Sequence, residues 1–173
     1  MYNPKEKAFY ASKYPKHFFL DEKNIELIPF EENWLELELL DLSSNKIEDV
    51  TPLAKMIHLK ILDLTFNKIE NIEPLANLIN LEELRLPSNK IVDIEPLAKL
   101  TNLKELYLHN NIILNFEVLK GLQGLEKLVC YYNPYLGQQI QSSGLEKEMP
   151  NCNIFDGRPE EGEERGPWVN TYW

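Results

Sequence analysis

Cysteine, histidine, glycine and long apolar runs are all scarce in this chain. Its two cysteines cannot form a disulfide framework. Cys130 falls on an inward strand position and Cys152 on a core position near the end of the domain. Both read as free thiols acting as small apolar groups. The three histidines, His17, His58 and His109, fall in a cap, at a repeat boundary and on an open face. No two have metal-ligand spacing, and no activated serine or cysteine accompanies His109. Gly121 and Gly124 are too few for a loop that cradles phosphate. No window approaches the roughly 18 apolar residues of a membrane span. The N-terminal stretch MYNPKEKAFYASKYPKH lacks the apolar core of a signal peptide. The chain has 18 basic and 28 acidic residues, a net charge of −10, and no lysine or arginine run. A field of that sign repels phosphate backbones, which argues against direct nucleic-acid binding. The expectation is an intracellular, cytoplasmic protein with no catalytic site, metal or cofactor.

What is abundant is leucine in a fixed grid. Asn45, Asn67, Asn89, Asn111 and Asn133 recur at one interval, and each unit starts afresh after the last. Residues Leu37–His58, Leu59–Asn80, Leu81–Asn102 and Leu103–Gly124 align with one another, and Leu125 opens a fifth unit. Phe18, Leu20, Ile25 and Ile28 hold the apolar positions of a degenerate earlier unit. A period of about 20–29 residues carrying L-x-x-L-x-L-x-x-N is the leucine-rich repeat signature. It predicts an α/β solenoid with a parallel concave sheet, short α or 3₁₀ convex segments, about five to six repeats and two caps.

Alternation sets the phase. Leu62 and Leu64 point inward, between Ile61, Asp63 and Thr65. The asparagine amides are expected to pair with orphaned backbone groups of the turn, as a stacked ladder. On the convex side Thr51-Pro52, Glu73-Pro74 and Glu95-Pro96 open short helical turns. Thr51 reads as an N-cap, and Glu73 and Glu95 as weaker ones. Leu75, Leu78, Leu97 and Leu100 should face inward.

Open solenoid ends need covering. Phe9, Tyr10, Tyr14, Phe18 and Phe19, with Trp34 in an apolar slot, serve the N-terminal end. At the other end Ile140 and Leu145 are expected on a cap helix. MPNCNIFDG then restarts a strand, with Cys152 and Phe155 in the first two leucine positions. Residues 1–157 thus make one repeat domain with its caps, and 158–173 an acidic, aromatic tail.

The unit N-K-I-x-x-I-x-P-L resembles the leucine-rich repeat group of the phosphatase-regulating repeat protein and the bacterial internalins. Asn133, Pro134, Leu136, Met149, Pro150, Asn151, Phe155, Asp156 and Gly157 resemble the cap shared by that regulator, the spliceosomal A-prime protein and axonemal dynein light chain one. Cysteine and phenylalanine stand here where that cap has leucines. The resemblance implies a protein-binding repeat. Chain size and cap imply a ciliary or other assembly role, with an axonemal or nuclear setting as variants of the intracellular one.

The same phase places candidate contact residues on the concave face. Tyr107, His109, Tyr131 and Tyr132 form an aromatic end, joined as contact residues by Phe66 and Arg85, and Asp41 and Asp63 form an acidic end. Tyrosine is a typical contact anchor, so the aromatic end is expected to dock a protein segment; scattered surface rings, or contact with the protein's own tail, are the alternative. Asp41 and Asp63 could hold a cation or meet a basic partner. Trp168, Tyr172 and Trp173 should dock somewhere, on the convex side or on a partner. The protein is then a monomer on its own or one subunit of a hetero-complex.

Overall fold

The computed structural model describes residues 16–134 and 144–156. Phe9, Tyr10, Tyr14, Leu136, Ile140, Gly157, Trp168, Tyr172 and Trp173 lie outside them. The described residues form one parallel sheet in strict chain order. Its strands are β1 (His17–Phe19), β2 (Leu39–Asp41), β3 (Ile61–Asp63), β4 (Glu83–Arg85), β5 (Glu105–Tyr107), β6 (Lys127–Val129) and β7 (Asn153–Phe155). Register follows the period: Leu40 lies beside Leu62, Leu84, Leu106 and Leu128 in turn.

Each unit buries its leucines completely. Leu62, Leu64, Leu84, Leu86, Leu106 and Leu108 have no exposed surface. Each such side chain gains about 1.5–3 kcal/mol on leaving water. One continuous core results, with Trp34 at one end and Leu145 and Met149 at the other. Phe18 packs on Trp34 with ring centroids 5.1 Å apart.

The asparagines tie neighbouring units together. Asn89 Nδ2 donates to the carbonyls of Leu64 (2.9 Å), Leu86 (3.0 Å) and Pro87 (3.2 Å). Its Oδ1 accepts from Ile69 N–H at 3.0 Å. Asn45, Asn67, Asn111 and Asn133 repeat the pattern. A turn that could not satisfy its own buried backbone is satisfied by the next unit.

The convex segments are 3₁₀ turns: Thr51–Lys55, Glu73–Asn77, Glu95–Lys99 and Glu117–Gly121, after an earlier one at Glu32–Glu36. Leu75, Leu78, Leu97 and Leu100 close the core there. Thr51, Glu73 and Glu95 are not caps; each is the first residue of its turn, and Val50, Ile72 and Ile94 precede it. The capping oxygen comes from one residue further back. Asp49 Oδ1 accepts from Thr51 N–H (2.8 Å), Asn71 Oδ1 from Glu73 N–H (2.9 Å) and Asp93 Oδ1 from Glu95 N–H (2.9 Å). The proline occupies the second turn position, so the Asx residue three before it is the one within reach.

The C-terminal cap departs from expectation by one residue. A short helix, α1 (Leu145–Glu148), begins after Gly144, whose φ of 69° is left-handed. In β7 Ile154, not Cys152 or Phe155, stands opposite Leu128. Phe155 lies beside Val129 on the open face and is 49% exposed, while Cys152 packs at the edge of the core. The spacing from Leu128 to Ile154 is longer than one repeat, so the sequence period no longer sets the phase.

Candidate functional site

The concave face is the outward side of the sheet, one residue per strand from each column. Arg85 and Tyr107 are neighbours in register. The Arg85 guanidinium sits 5.4 Å from the Tyr107 ring centroid, and Lys127 Nζ lies 5.0 Å from the same ring. Lys127 also donates to the Tyr107 hydroxyl at 3.0 Å, and that hydroxyl donates to Glu105. Arg85 bonds Glu83 through Nε and reaches Asp63 at 3.5 Å. Tyr107 is thus clamped between two cations whose charge is balanced by three carboxylates. Cation–π attraction and the hydroxyl bonds act together on this ring. Lys127, Glu105 and Glu83 were missed by sequence reasoning. They fill the same column as Leu39 and Ile61, and that shared interval was the signal available.

The next column carries the other rings. His109 stacks on Tyr131 at 4.5 Å and 22°, and Tyr131 meets Tyr132 edge-on at 5.0 Å. Burial holds the His109 imidazole down to about 4, and its Nδ1 is buried with no hydrogen-bond partner. It is therefore neutral at physiological pH and part of a stacked platform. Between about pH 6.5 and 4 the unfolded chain binds a proton that the folded chain does not, so stability falls as pH drops through that window. Replacing His109 with Phe keeps a ring in the stack and removes the titration. The urea midpoint of that variant is expected to fall less between pH 6.5 and 4 than that of the wild type.

Phe66 and Tyr132 are 46% and 65% exposed and sit at φ 53° and 54°. Ser44, Ser88 and Asn110 occupy the same left-handed position in other units. Small polar residues tolerate it better than bulky ones.

The acidic end differs from the aromatic end. Asp41 Oδ1 accepts from Ser43 N–H and Asp63 Oδ1 from Thr65 N–H, each at 2.9 Å. Asp63 is also joined to Arg85, so it serves the clamp. Burial raises the Asp41 carboxyl, against the Ser43 bonds and helped by the charges of Asp63 and Asp21. No group of three or more histidine, cysteine or carboxylate side chains suited to a metal occurs among the described residues.

Elsewhere, a groove of about 420 Å³ runs along the flank just before the strands. Its charges alternate from unit to unit and pair with one another: Glu38 bridges Lys16 (2.8 Å) and Lys60 (2.9 Å), and Glu82 meets Lys104 (2.6 Å). Bonds from the two lysines hold Glu38 at about 2. Cys130 is fully buried, and burial pushes the Cys152 thiol up to about 11, so neither is an activated nucleophile.

The family described as leucine rich repeats (2 copies) matches residues 36–77 and 79–121. The chain carries leucine-rich repeats over these residues. Internalin C2 of Listeria monocytogenes is similar to the repeat protein at 34% identity, with a TM-score of 0.65, over 70% of this chain and 52% of that one. A second internalin of that organism, inlF, matches at 26% identity and TM-score 0.59, over 78% and 45%. A leucine-rich repeat protein of Leptospira interrogans, at 23% identity and TM-score 0.55 over 75% and 40%, shares the fold. The repeat protein spans about half or less of the length of these structures. No curated protein matches it. Among the described residues no helix is long and apolar enough to cross a membrane.

Proposed function

We propose that this repeat protein is a non-catalytic docking module that takes a segment of a protein partner on its concave face. Phe66, Arg85, Tyr107, His109, Tyr131 and Tyr132 supply the contact, with Asp41 at the acidic end. The observation that carries this reading is the placement of Phe66 and Tyr132. A bulky side chain in the left-handed region costs on the order of 1–2 kcal/mol, and Ser44 and Ser88 show that the fold accepts small residues there. Backbone strain kept at an exposed ring points to use of that ring. The clamp on Tyr107 supports it, since a pre-ordered ring loses little freedom on binding.

The test is a double substitution, Tyr107→Ala with Tyr131→Ala, in a pull-down from native extract. The partner is expected to be lost by on the order of tenfold or more in affinity, with the circular dichroism spectrum unchanged. Unchanged capture would remove the reading.

The second reading is a structural subunit of a large ciliary or other intracellular assembly. What favours it is the cap sequence Met149, Pro150, Asn151, Phe155 and Asp156, which resembles that of axonemal dynein light chain one and the spliceosomal A-prime protein. It goes with a cytoplasmic site, or the axoneme or nucleus. A permanent subunit co-sediments with its complex at every salt concentration that leaves the complex intact; a docking module alone sediments as a monomer.

A further inference from the structure

The flank just before the strands carries a column of alternating charge. Lys16, Glu38, Lys60, Glu82, Lys104 and Glu126 follow one another at the repeat interval. Parallel pairing in register stacks these positions side by side, about 4.8 Å apart. The three lysines are about half exposed, and Glu38 and Glu82 are partly open. Bridges within the chain run Lys16–Glu38–Lys60 and Glu82–Lys104. Among the described residues none closes the step from Lys60 to Glu82. Ile57 and Ile79 precede Lys60 and Glu82 by three positions and are 47% and 52% exposed. Asn80 Nδ2 donates to the Ile57 carbonyl at 2.7 Å and Asn102 Nδ2 to the Ile79 carbonyl at 2.8 Å, so both isoleucines stand in the register of the stack. Thr101 and Gln123 hold the same column in later units. The fold therefore does not need an aliphatic group there.

This pattern is complementary to its own reverse. A second copy, turned about a two-fold axis that lies in the contact plane at right angles to the stack, meets each column with the same column running backwards. With the axis midway between Lys60 and Glu82, Lys60 faces the second copy's Glu82, Glu38 its Lys104 and Lys16 its Glu126. Each of these contacts occurs twice, and opposite charges meet at all of them. An axis through a unit, rather than between two, would set lysine on lysine and glutamate on glutamate. Of the axes between units, the one at Lys60 and Glu82 also sets Ile57 on the second copy's Ile79. It is the centre of the column, with three charges on either side. We propose that this flank docks a second copy of the repeat protein, antiparallel and about that axis. The concave face takes no part and stays open to a partner segment. The column itself is neutral, three lysines against three glutamates. A Debye length of about 8 Å in physiological salt screens the net charge of −10 carried by the whole chain. The charges set register and orientation, and each exposed pair adds little strength. The contact is roughly 24 Å long, five strand spacings, and about 10 Å across, three residues. That lies at the small end of specific interfaces, so the protein is a monomer when dilute and a dimer when concentrated.

The experiment follows the full chain by sedimentation velocity over a roughly hundredfold range of concentration. Wild type is expected to pass from monomer to dimer as concentration rises. Lys60→Glu sets glutamate against the second copy's Glu82 at both symmetric contacts and should weaken dimerisation by about tenfold or more. Glu82→Lys sets lysine against the second copy's Lys60 and should do the same. The charge swap, Lys60→Glu with Glu82→Lys, restores opposite charges across the axis, and dimerisation should return to within roughly threefold of wild type. Within one chain the swap leaves Glu38 beside a glutamate and Lys104 beside a lysine, so an effect of the intrachain bridges would not be reversed. Ile79→Thr brings in the residue type that Thr101 already supplies to this column. It should weaken the dimer with the circular dichroism spectrum unchanged. A wild type that stays monomeric throughout overturns the proposal. So does a dimer that Lys60→Glu leaves intact, and so do single variants that the swap fails to rescue.

Discussion

Replacing Asn89 with Ala is expected to lower the stability of the whole domain by about 3–5 kcal/mol. The substitution removes one donor group from three carbonyls and one acceptor from the Ile69 N–H, all within the stack. An orphaned buried polar group costs about 1–3 kcal/mol, and partial relaxation keeps the total below the simple sum. Water has little access, since Asn89 is 9% exposed. Asn89→Asp makes a sharper test. It keeps the acceptor for Ile69 but turns a carboxylate oxygen toward the carbonyls of Leu64, Leu86 and Pro87. Its folded-state pKa must then lie above the unfolded value, so this variant should gain stability relative to wild type as pH falls through the folded value. Urea melts at pH 7 and pH 5 measure both. A midpoint for Asn89→Ala within error of wild type would mean that the ladder carries no stability.

The second expected result compares adjacent residues. Leu106→Ala should cost about 2–5 kcal/mol, because its side chain is wholly buried and leaves a cavity between β4 and β6. Tyr107→Ala should cost roughly 1 kcal/mol or less, the worth of its exposed cation–π contacts. Partner capture should respond the other way, lost with Tyr107 and kept with Leu106 under conditions where both are folded. Denaturant midpoints measured beside the pull-down separate the two effects. Equal stability losses would mean that the two residues do not differ in the way the strand phase requires.

Both results follow from a phase that the repeat pattern itself carries. The alternation that points Leu62 and Leu64 inward carries over by the period to Leu84, Leu106 and Leu128, which are wholly buried, while Arg85, Tyr107 and Tyr131 lie on the other side of the sheet. The asparagine ladder was legible for the same reason: one residue type at one interval, at a turn that leaves backbone groups unpaired. The convex caps were not. Thr51 has the chemistry of a cap, but the capping oxygen belongs to Asp49, because a 3₁₀ turn opening on Thr51-Pro52 places the Asx residue two positions back within reach. The clamp on Tyr107 was half visible. Arg85 and Tyr107 fell in one column, but Lys127 came from the neighbouring column, and only the side-chain directions bring it over the ring.

The sequence by itself determined the stack: which residues are core, how the strands order and pair, and which columns face out. It could do so because a 22-residue unit repeated in register lets each unit confirm its neighbour, so that local pattern and long-range contact carry the same information. The tertiary structure alone decided three things. It placed Ile154 rather than Phe155 opposite Leu128, since the period ends before the cap and backbone pairing takes over. It put Phe66 and Tyr132 in left-handed backbone, a property of the turn that residue type does not announce. It also left Ile57 and Ile79 exposed on the flank, because exposure depends on what the neighbouring units leave uncovered.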